Sequence, residues 1–271
     1  MRPCALVPGT ALHAGTALLA GMALLGSAFT APAMAEQPIR QPVDLALVLL
    51  TDVSKSMDDR EYTLVKEGYK AAFSDPQVIQ AILSNSKGIA VSYVEFAGKD
   101  EFFVVQGWNV LTDAASARTF GDAVAAATRT SSGNTALAVS IRKAADLLQV
   151  AAVGSARRVI DVASDHPHDG GRSATVRDAA VAAGITINAL PIIDNHPIVA
   201  YDGHLTYAVQ QWGFEDQAAF YRKYVIGGPG SFVIEARDYA AFGEALKRKL
   251  LRELISSPGP LDTSETFASV D

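Results

Sequence analysis

The apolar positions of this chain fall into short blocks set between longer amphipathic stretches. Leu45-Ala46-Leu47-Val48-Leu49-Leu50 is a continuous apolar block that ends in Thr51-Asp52. A block this short, bounded by polar residues, reads as a strand buried on both faces, as in a parallel sheet. The first strand is therefore expected over 43–50. Asp58 and Asp59 suit the positive N-terminal end of a helix running to about Phe73. Asp75-Pro76 reads as an N-cap followed by proline in the first helical turn, opening a short helix to about Leu83. Gly88–Phe96 is the second strand. A tight turn at Gly98-Lys99-Asp100 leads into Glu101–Val105, a third strand expected to run antiparallel to its neighbour.

The alternation continues towards the C-terminus. Helices are expected over 114–127 and 136–150, a strand over 158–163, a helix over 173–183 stopped by Gly184, and a strand over 185–191. A helix over 214–225 follows. The run Gly227-Gly228-Pro229-Gly230 turns into a strand over 231–236, and a helix over 239–254 closes the pattern. Strands alternating with helices predict an α/β fold: a doubly wound, mostly parallel open sheet with one antiparallel edge strand and helices on both faces. Residues 192–213 carry no clear period. A structureless loop of that length is unusual in a compact domain, so it is functional or hides short elements.

Composition adds a location and removes some partners. Arg2 precedes an apolar stretch over 14–29, and Ala33-Met34-Ala35 fits a small-x-small cleavage pattern. Residues 1–35 are read as a cleavable signal peptide, with cleavage after Ala35, which places the mature chain in the periplasm or outside the cell. The stretch is broken by glycines and is weak for a membrane span, which needs about 20 apolar residues. No later segment is a candidate span. The single cysteine, Cys4, lies inside the segment to be removed, so no disulfide is expected. Residues 36–42 form a short lead-in, 43–256 one domain, and 257–271, with Pro258-Gly259-Pro260, a loose tail. The net charge of −6 without a basic stretch argues against nucleic acid, whose phosphates need clustered Lys and Arg.

The candidate chemistry lies at strand ends. Asp52, Ser54 and Ser56 follow the first strand at spacings of two. The loop Ser131-Ser132-Gly133-Asn134-Thr135 precedes a helix. Ala163-Ser164-Asp165 ends a second buried-type strand. Ligands of open α/β sheets bind at the carboxyl ends of strands, and a neighbouring first and fourth strand would make a switch point there. Carboxylates with hydroxyls form a hard oxygen set that suits Mg²⁺, Mn²⁺ or Ca²⁺. Asp161, inside a buried strand, needs a partner, with Arg157, Arg158 or a neighbouring strand as candidates.

This order of residues resembles the von Willebrand factor A domain, the fold shared with integrin I domains. The metal-ion-dependent adhesion site of that family has the pattern Asp-x-Ser-x-Ser, then Thr, then Asp. Asp52, Ser54, Ser56, Thr135 and Asp165 match it here, and the resemblance covers residues 43–255. Tyr93–Gly98, Arg158–Asp165 and Val225–Gly230 further resemble a group of exported bacterial proteins of von Willebrand A-like character with no assigned function. The resemblance implies a Rossmann-like fold and a divalent cation, Mg²⁺ first, with Mn²⁺ or Ca²⁺ as alternatives. It implies that Ser54, Ser56 and Thr135 coordinate the ion through their hydroxyls. Asp52 and Asp165 would act partly through bridging waters, and a carboxylate from a protein partner would fill an open position. His166 stands where the family usually has glycine.

Four histidines follow strand ends: His166, His168, His196 and His204. They are candidates for an accessory rim of the metal site, softer in character or responsive to pH. Two competing functions remain. A metal-dependent phosphotransfer hydrolase would use Asp52 as nucleophile, but it wants a second Asp where Ser54 stands. A serine hydrolase needs Gly-x-Ser-x-Gly, which the chain lacks. The other alternative is a scaffold whose metal site has lapsed, suggested by His166. The glycine run at 227–230 precedes a strand and not a helix, so it is a turn and not a phosphate loop. The sequence thus points to an exported, non-enzymatic binding module.

Overall fold

In the computed structural model, residues 42–151, 157–166, 170–193, 198–199, 205–206 and 216–255 are described. Residues 1–35, read from the sequence as a signal peptide, the lead-in up to residue 41, the tail 257–271, and His168, His196 and His204 lie outside them.

Strand β1 (Leu45–Asp52) is buried along its whole length. Its side chains alternate between two cores. Leu45, Leu47 and Leu49 enter one, and Ala46, Val48 and Leu50 enter the other. This explains the unbroken apolar run: a strand covered on both faces has no solvent side on which to place polar residues. β1 pairs in parallel with β2 (Ile89–Phe96) on one side and with β4 (Arg157–Ser164) on the other. β3 (Phe102–Leu111) runs antiparallel beside β2, and β5 (Ile185–Pro191) lies parallel to β4. The sheet order is β3-β2-β1-β4-β5, the mostly parallel sheet with one antiparallel edge that the sequence predicts.

Helices α1 (Asp59–Ser74), α2 (Pro76–Leu83), α3 (Ala114–Ala126) and α7 (Phe242–Ile255) cover one face, through Val65, Phe73, Val78, Phe120 and Leu246 among others. The opposite face is covered by α4 (Leu137–Ala151), α5 (Gly170–Ala182) and α6 (Gln217–Tyr224). The cap expected at Asp75 forms, and Asp58 proves to be a cap as well. Asp58 and Glu61 make a reciprocal capping box on α1, with Glu61 N donating to Asp58 Oδ1 at 2.7 Å and Asp58 N to Glu61 Oε2 at 2.8 Å. Asp75 caps α2 ahead of Pro76 by accepting from Gln77 N at 2.8 Å.

Two elements differ from the sequence reading. β3 extends to Leu111 instead of ending at Val105. Its pairing with β2 shifts register between Val91 and Val94, which breaks the two-residue alternation by which a strand is recognised. The segment 231–236 does not form a full strand and meets the sheet edge only through bridges at Val233 and Ala236. Phe232 N donates instead to the side-chain Oδ1 of Asn188 at 2.9 Å, so a side chain takes the place of a ladder bond. The aperiodic stretch 192–213 hides a short antiparallel pair, β6 (Ile198–Val199) and β7 (Leu205–Thr206).

Asp161 finds a partner that sequence proximity could not supply, Lys249 on α7. Arg158 donates to Ala183 O at 2.5 Å, and Arg157 pairs with Glu253 at 3.3 Å. No helix among the described residues is long and apolar enough to cross a membrane.

Candidate metal site

Because β1 and β4 are neighbours while their following connections leave in different directions, a crevice opens at their carboxyl ends. Asp52 is the last residue of β1, and Asp165 directly follows β4. The β1–α1 loop turns back so that Ser54 N donates to Asp52 Oδ1 at 2.9 Å. That turn brings the Ser54 and Ser56 hydroxyls within 3.1 Å of each other. Thr135, which ends the loop before α4, donates its hydroxyl to Ser54 Oγ at 2.9 Å. The two loops are also joined through the backbone, with Lys55 N donating to Gly133 O at 2.9 Å. The Ser56 hydroxyl lies near enough to the Asp165 carboxylate to help stabilise its charge. All five residues selected from the sequence thus converge on one crevice. Asp52, Ser54 and Asp165 are buried, whereas Ser56 and Thr135 are half-buried, so the cluster is reached from solvent on the hydroxyl side.

The two carboxylates are not equivalent. Burial and then the negative charge of Asp165 push Asp52 up to about 7, against hydrogen bonds from Ser164 and Ser54 that pull it down. Asp165 is also penalised by burial. Bonds from His166, Ser56 and Tyr239 nevertheless hold it below the usual carboxylate range. His166 Nδ1 lies 3.3 Å from Asp165 Oδ2. Two buried acids sharing a crevice repel each other, and a cation between them removes that repulsion. The donor set of two carboxylates and three hydroxyls therefore fits a hard divalent ion. Among the described residues no group of three His, Cys, Asp or Glu side chains comes together, so a softer, nitrogen-rich or sulfur-rich site is not formed by them. Of the four rim histidines only His166 lies among the described residues, and its Nδ1 faces the site acid Asp165.

The support around these five residues is not evident from the sequence. Ser164 donates to Asp52 Oδ2 at 2.6 Å, tying β4 to β1. Tyr239 donates to Asp165 Oδ2 at 3.0 Å, and Gln217 Nε2 to Asp165 O at 2.8 Å. Arg129 Nη2 donates to the carbonyls of Val53 at 2.9 Å, Ser54 at 2.8 Å and Met57 at 2.8 Å, spanning the whole Asp-x-Ser-x-Ser loop. Beneath it Glu95, fully buried, accepts from Tyr62 and Tyr93 hydroxyls and from Thr130 N and Oγ1. A Cβ at Gly133 would meet the end of the Glu101 side chain, which packs against this loop. Ser164 adjoins a selected acid and carries a weak local signal. The others come from distant segments and carry none.

Comparison with known proteins agrees with this fold. A family model described as "Protein of unknown function (DUF1194)" matches residues 42–258, and the chain belongs to that family. No curated protein is similar to it in sequence. Among solved structures, the pilus adhesin SpaC from Lactobacillus rhamnosus GG superposes with a TM-score of 0.54 at 14% identity, over 81% of this chain and 30% of that one. A von Willebrand factor type A protein from Catenulispora acidiphila gives 0.52 at 18% identity, over 78% and 43%. Proximal thread matrix protein 1 from the mussel byssus, with a zinc-occupied MIDAS motif, gives 0.50 at 14% identity, over 79% and 47%. The chain spans less than half the length of each of these three. At such identities the likeness shows the fold, which is von Willebrand A-like.

Proposed function

From membership of a von Willebrand A-like family, we propose that this protein is an exported binding module. It holds a divalent cation on Asp52, Ser54, Ser56, Thr135 and Asp165 and engages a protein partner through that ion. The observation that carries the reading is the hydrogen-bonded run Thr135–Ser54–Ser56, anchored on Asp52 through Ser54 N and set beside the Asp165 carboxylate. Residues from three separate loops meet in the order the adhesion-site pattern requires. The ion supplies a Lewis-acidic open position for a carboxylate oxygen. With the three neutral hydroxyls as direct ligands and the two carboxylates acting partly through bridging waters, the ion would be only weakly neutralised by the groups it touches and would attract a further anion. The zinc-occupied relative and the pilus adhesin support cation and protein binding, respectively, for this fold.

We read the module as a binder and not an enzyme, with Mg²⁺ as the ion and the periplasm or cell exterior as its location. The test is thermal melting of the purified chain with EDTA, Mg²⁺, Mn²⁺, Ca²⁺ or Zn²⁺. An ion at 100 times its Kd stabilises the fold by about 2.7 kcal/mol. Asp52→Ala and Asp165→Ala are expected to abolish the metal-induced shift. Shifts retained in both variants would place the ion elsewhere, and no shift in the parent protein at millimolar metal would support the lapsed scaffold.

A further inference from the structure

A buried carboxylate behind the metal crevice is not among the residues assigned to the ion. Glu95 is the penultimate residue of β2 and is fully buried, with Thr51 of β1 and Phe103 of β3 as its register partners. Its two oxygens serve different elements. Oε1 accepts from the Tyr62 hydroxyl of α1 at 2.8 Å and from the Tyr93 hydroxyl of β2 at 3.2 Å. Oε2 accepts from Thr130 N at 3.0 Å and from Thr130 Oγ1 at 2.8 Å. Lys66 of α1, itself buried, donates from Nζ to the Tyr62 hydroxyl at 3.3 Å and to Ala127 O, where α3 ends. The Arg129 guanidinium lies 5.8 Å from the centre of the Tyr62 ring. Two cations thus belong to the same cluster as the acid.

We infer, on the metal reading of the site, that Glu95 is the positioning residue that sets the loop bearing Thr135 against the loop bearing Ser54 and Ser56. The segment 127–135 is held at several points. Lys66 holds Ala127 O, and the Arg129 guanidinium reaches the carbonyls of Val53, Ser54 and Met57. Gly133 O accepts from Lys55 N, and the Thr135 hydroxyl meets Ser54 Oγ. These bonds tie the segment to α1 and to the neighbouring loop. Among the described residues, Thr130 is the point at which it is hydrogen-bonded to a strand, through Glu95. Bonds between two loops fix their separation, but only a bond to the sheet fixes where both stand above Asp52 at the end of β1. Thr130 directly follows Arg129, so the carboxylate that holds Thr130 also fixes the backbone from which the guanidinium reaches across. Thr130 brings two donors to one oxygen, and an apolar side chain at 95 would leave both without that acceptor. Glu95 touches no ion and acts through Thr130 and Arg129, as a group that orients ligands from behind.

Hydrogen exchange of the metal-free protein, read by mass spectrometry, and calorimetric titration of Mg²⁺ test this together. Glu95→Ala is expected to speed exchange about tenfold in peptides covering 128–135 and, remote from the substitution, 53–57, and to lower Mg²⁺ affinity about 10- to 100-fold. Glu95→Gln is expected to keep both within about threefold of the parent: its amide oxygen can go on accepting from Thr130 while its NH₂ meets the Tyr62 and Tyr93 hydroxyls, which can turn to accept. Thr130→Val removes the hydroxyl and keeps the backbone donor, is expected to fall between the two, and decides the matter if Glu95→Ala does not fold. Glu253→Gln alters another buried acid, beside Arg157 at the opposite end of β4, and serves as the stability control. It is expected to lower the melting temperature with exchange in 53–57 and Mg²⁺ affinity unchanged. Parent-like exchange in 53–57 and parent-like affinity in Glu95→Ala, or in Thr130→Val where the alanine variant does not fold, would overturn the inference. So would an equal loss of affinity in Glu253→Gln, which would reduce the effect to general stability. A parent protein that binds no divalent ion would overturn the metal reading instead, and the metal-free exchange would still decide whether Glu95 places the two loops.

Discussion

The Ser164 hydroxyl donates to Asp52 Oδ2 at 2.6 Å across 112 residues of sequence, joining the end of β4 to the end of β1 at the floor of the metal crevice. This bond orients one of the two site carboxylates and draws its pKa down against burial. Ser164→Ala leaves a buried acceptor short of a donor, which destabilises the fold by about 1–3 kcal/mol. Groups that orient metal ligands typically change affinity by about 10- to 100-fold when removed. The expected outcome is a modest drop in melting temperature without metal and a larger drop with it. Equal drops in both conditions would mean that Ser164 supports the sheet but not the ion.

The raised pKa of Asp52 gives metal binding a pH dependence. In the unfolded chain this group titrates near 3.8, and in the fold near 7, so the folded state holds an extra proton between those values. The stability it contributes without metal is fully present below 3.8 and is lost as pH rises through about 7. Metal affinity moves the opposite way, because the ion needs the carboxylate. Asp165 is held low and stays ionised through this window. Calorimetric titration of Mg²⁺ is therefore expected to show affinity falling about tenfold per pH unit below 7 and levelling above it, with proton release on binding. Asp52→Asn is expected to remove the slope along with most of the affinity. A flat profile in the parent protein would contradict the raised pKa.

Arg129 is the residue on which the shape of the Asp-x-Ser-x-Ser loop depends most. One guanidinium serves the carbonyls of Val53, Ser54 and Met57, and it also lies 3.5 Å from Asp59 at the start of α1. A lysine ammonium cannot reproduce that planar fork. Arg129→Lys is expected to destabilise the protein by about 1–3 kcal/mol, a fall of roughly 2–10 °C in melting temperature. Metal affinity is expected to fall as well, since the Ser54 and Ser56 hydroxyls lose their fixed spacing. Melting curves with and without Mg²⁺ separate the two effects.

What could be read from the sequence was local in origin. β1 announced itself because eight consecutive positions are buried and a strand covered on both faces has to be apolar. The helix starts at Asp58 and Asp75 were legible because the groups that mark a helix start act within three residues. The site motif was legible because its residues sit at the ends of such strands. The extension of β3 was masked by its register shift, and the 231–236 segment by the Asn188 side chain that takes its hydrogen bond. Arg129, Tyr239 and Lys249 reach their partners from segments more than 70 residues away in sequence. The polar residues that a sheet end or a core recruits across such distances leave no periodic trace.

Thr135 offers the sharpest separation of chemistry from packing. Its hydroxyl donates to Ser54 Oγ at 2.9 Å from a loop clamped by Lys55 N on one side and packed against Glu101 on the other. Thr135→Ser keeps the oxygen and removes a methyl, whereas Thr135→Val keeps the shape and removes the oxygen. The residue is only half-buried, so neither change is expected to alter stability without metal by more than about 1 kcal/mol. With metal the two variants are expected to part. Thr135→Ser retains the ion-induced rise in melting temperature, and Thr135→Val loses most of it. Partner capture follows the same order if it runs through the ion. Equal metal responses in the two variants would remove Thr135 from the ligand set, leaving the ion to Asp52, Ser54, Ser56 and Asp165.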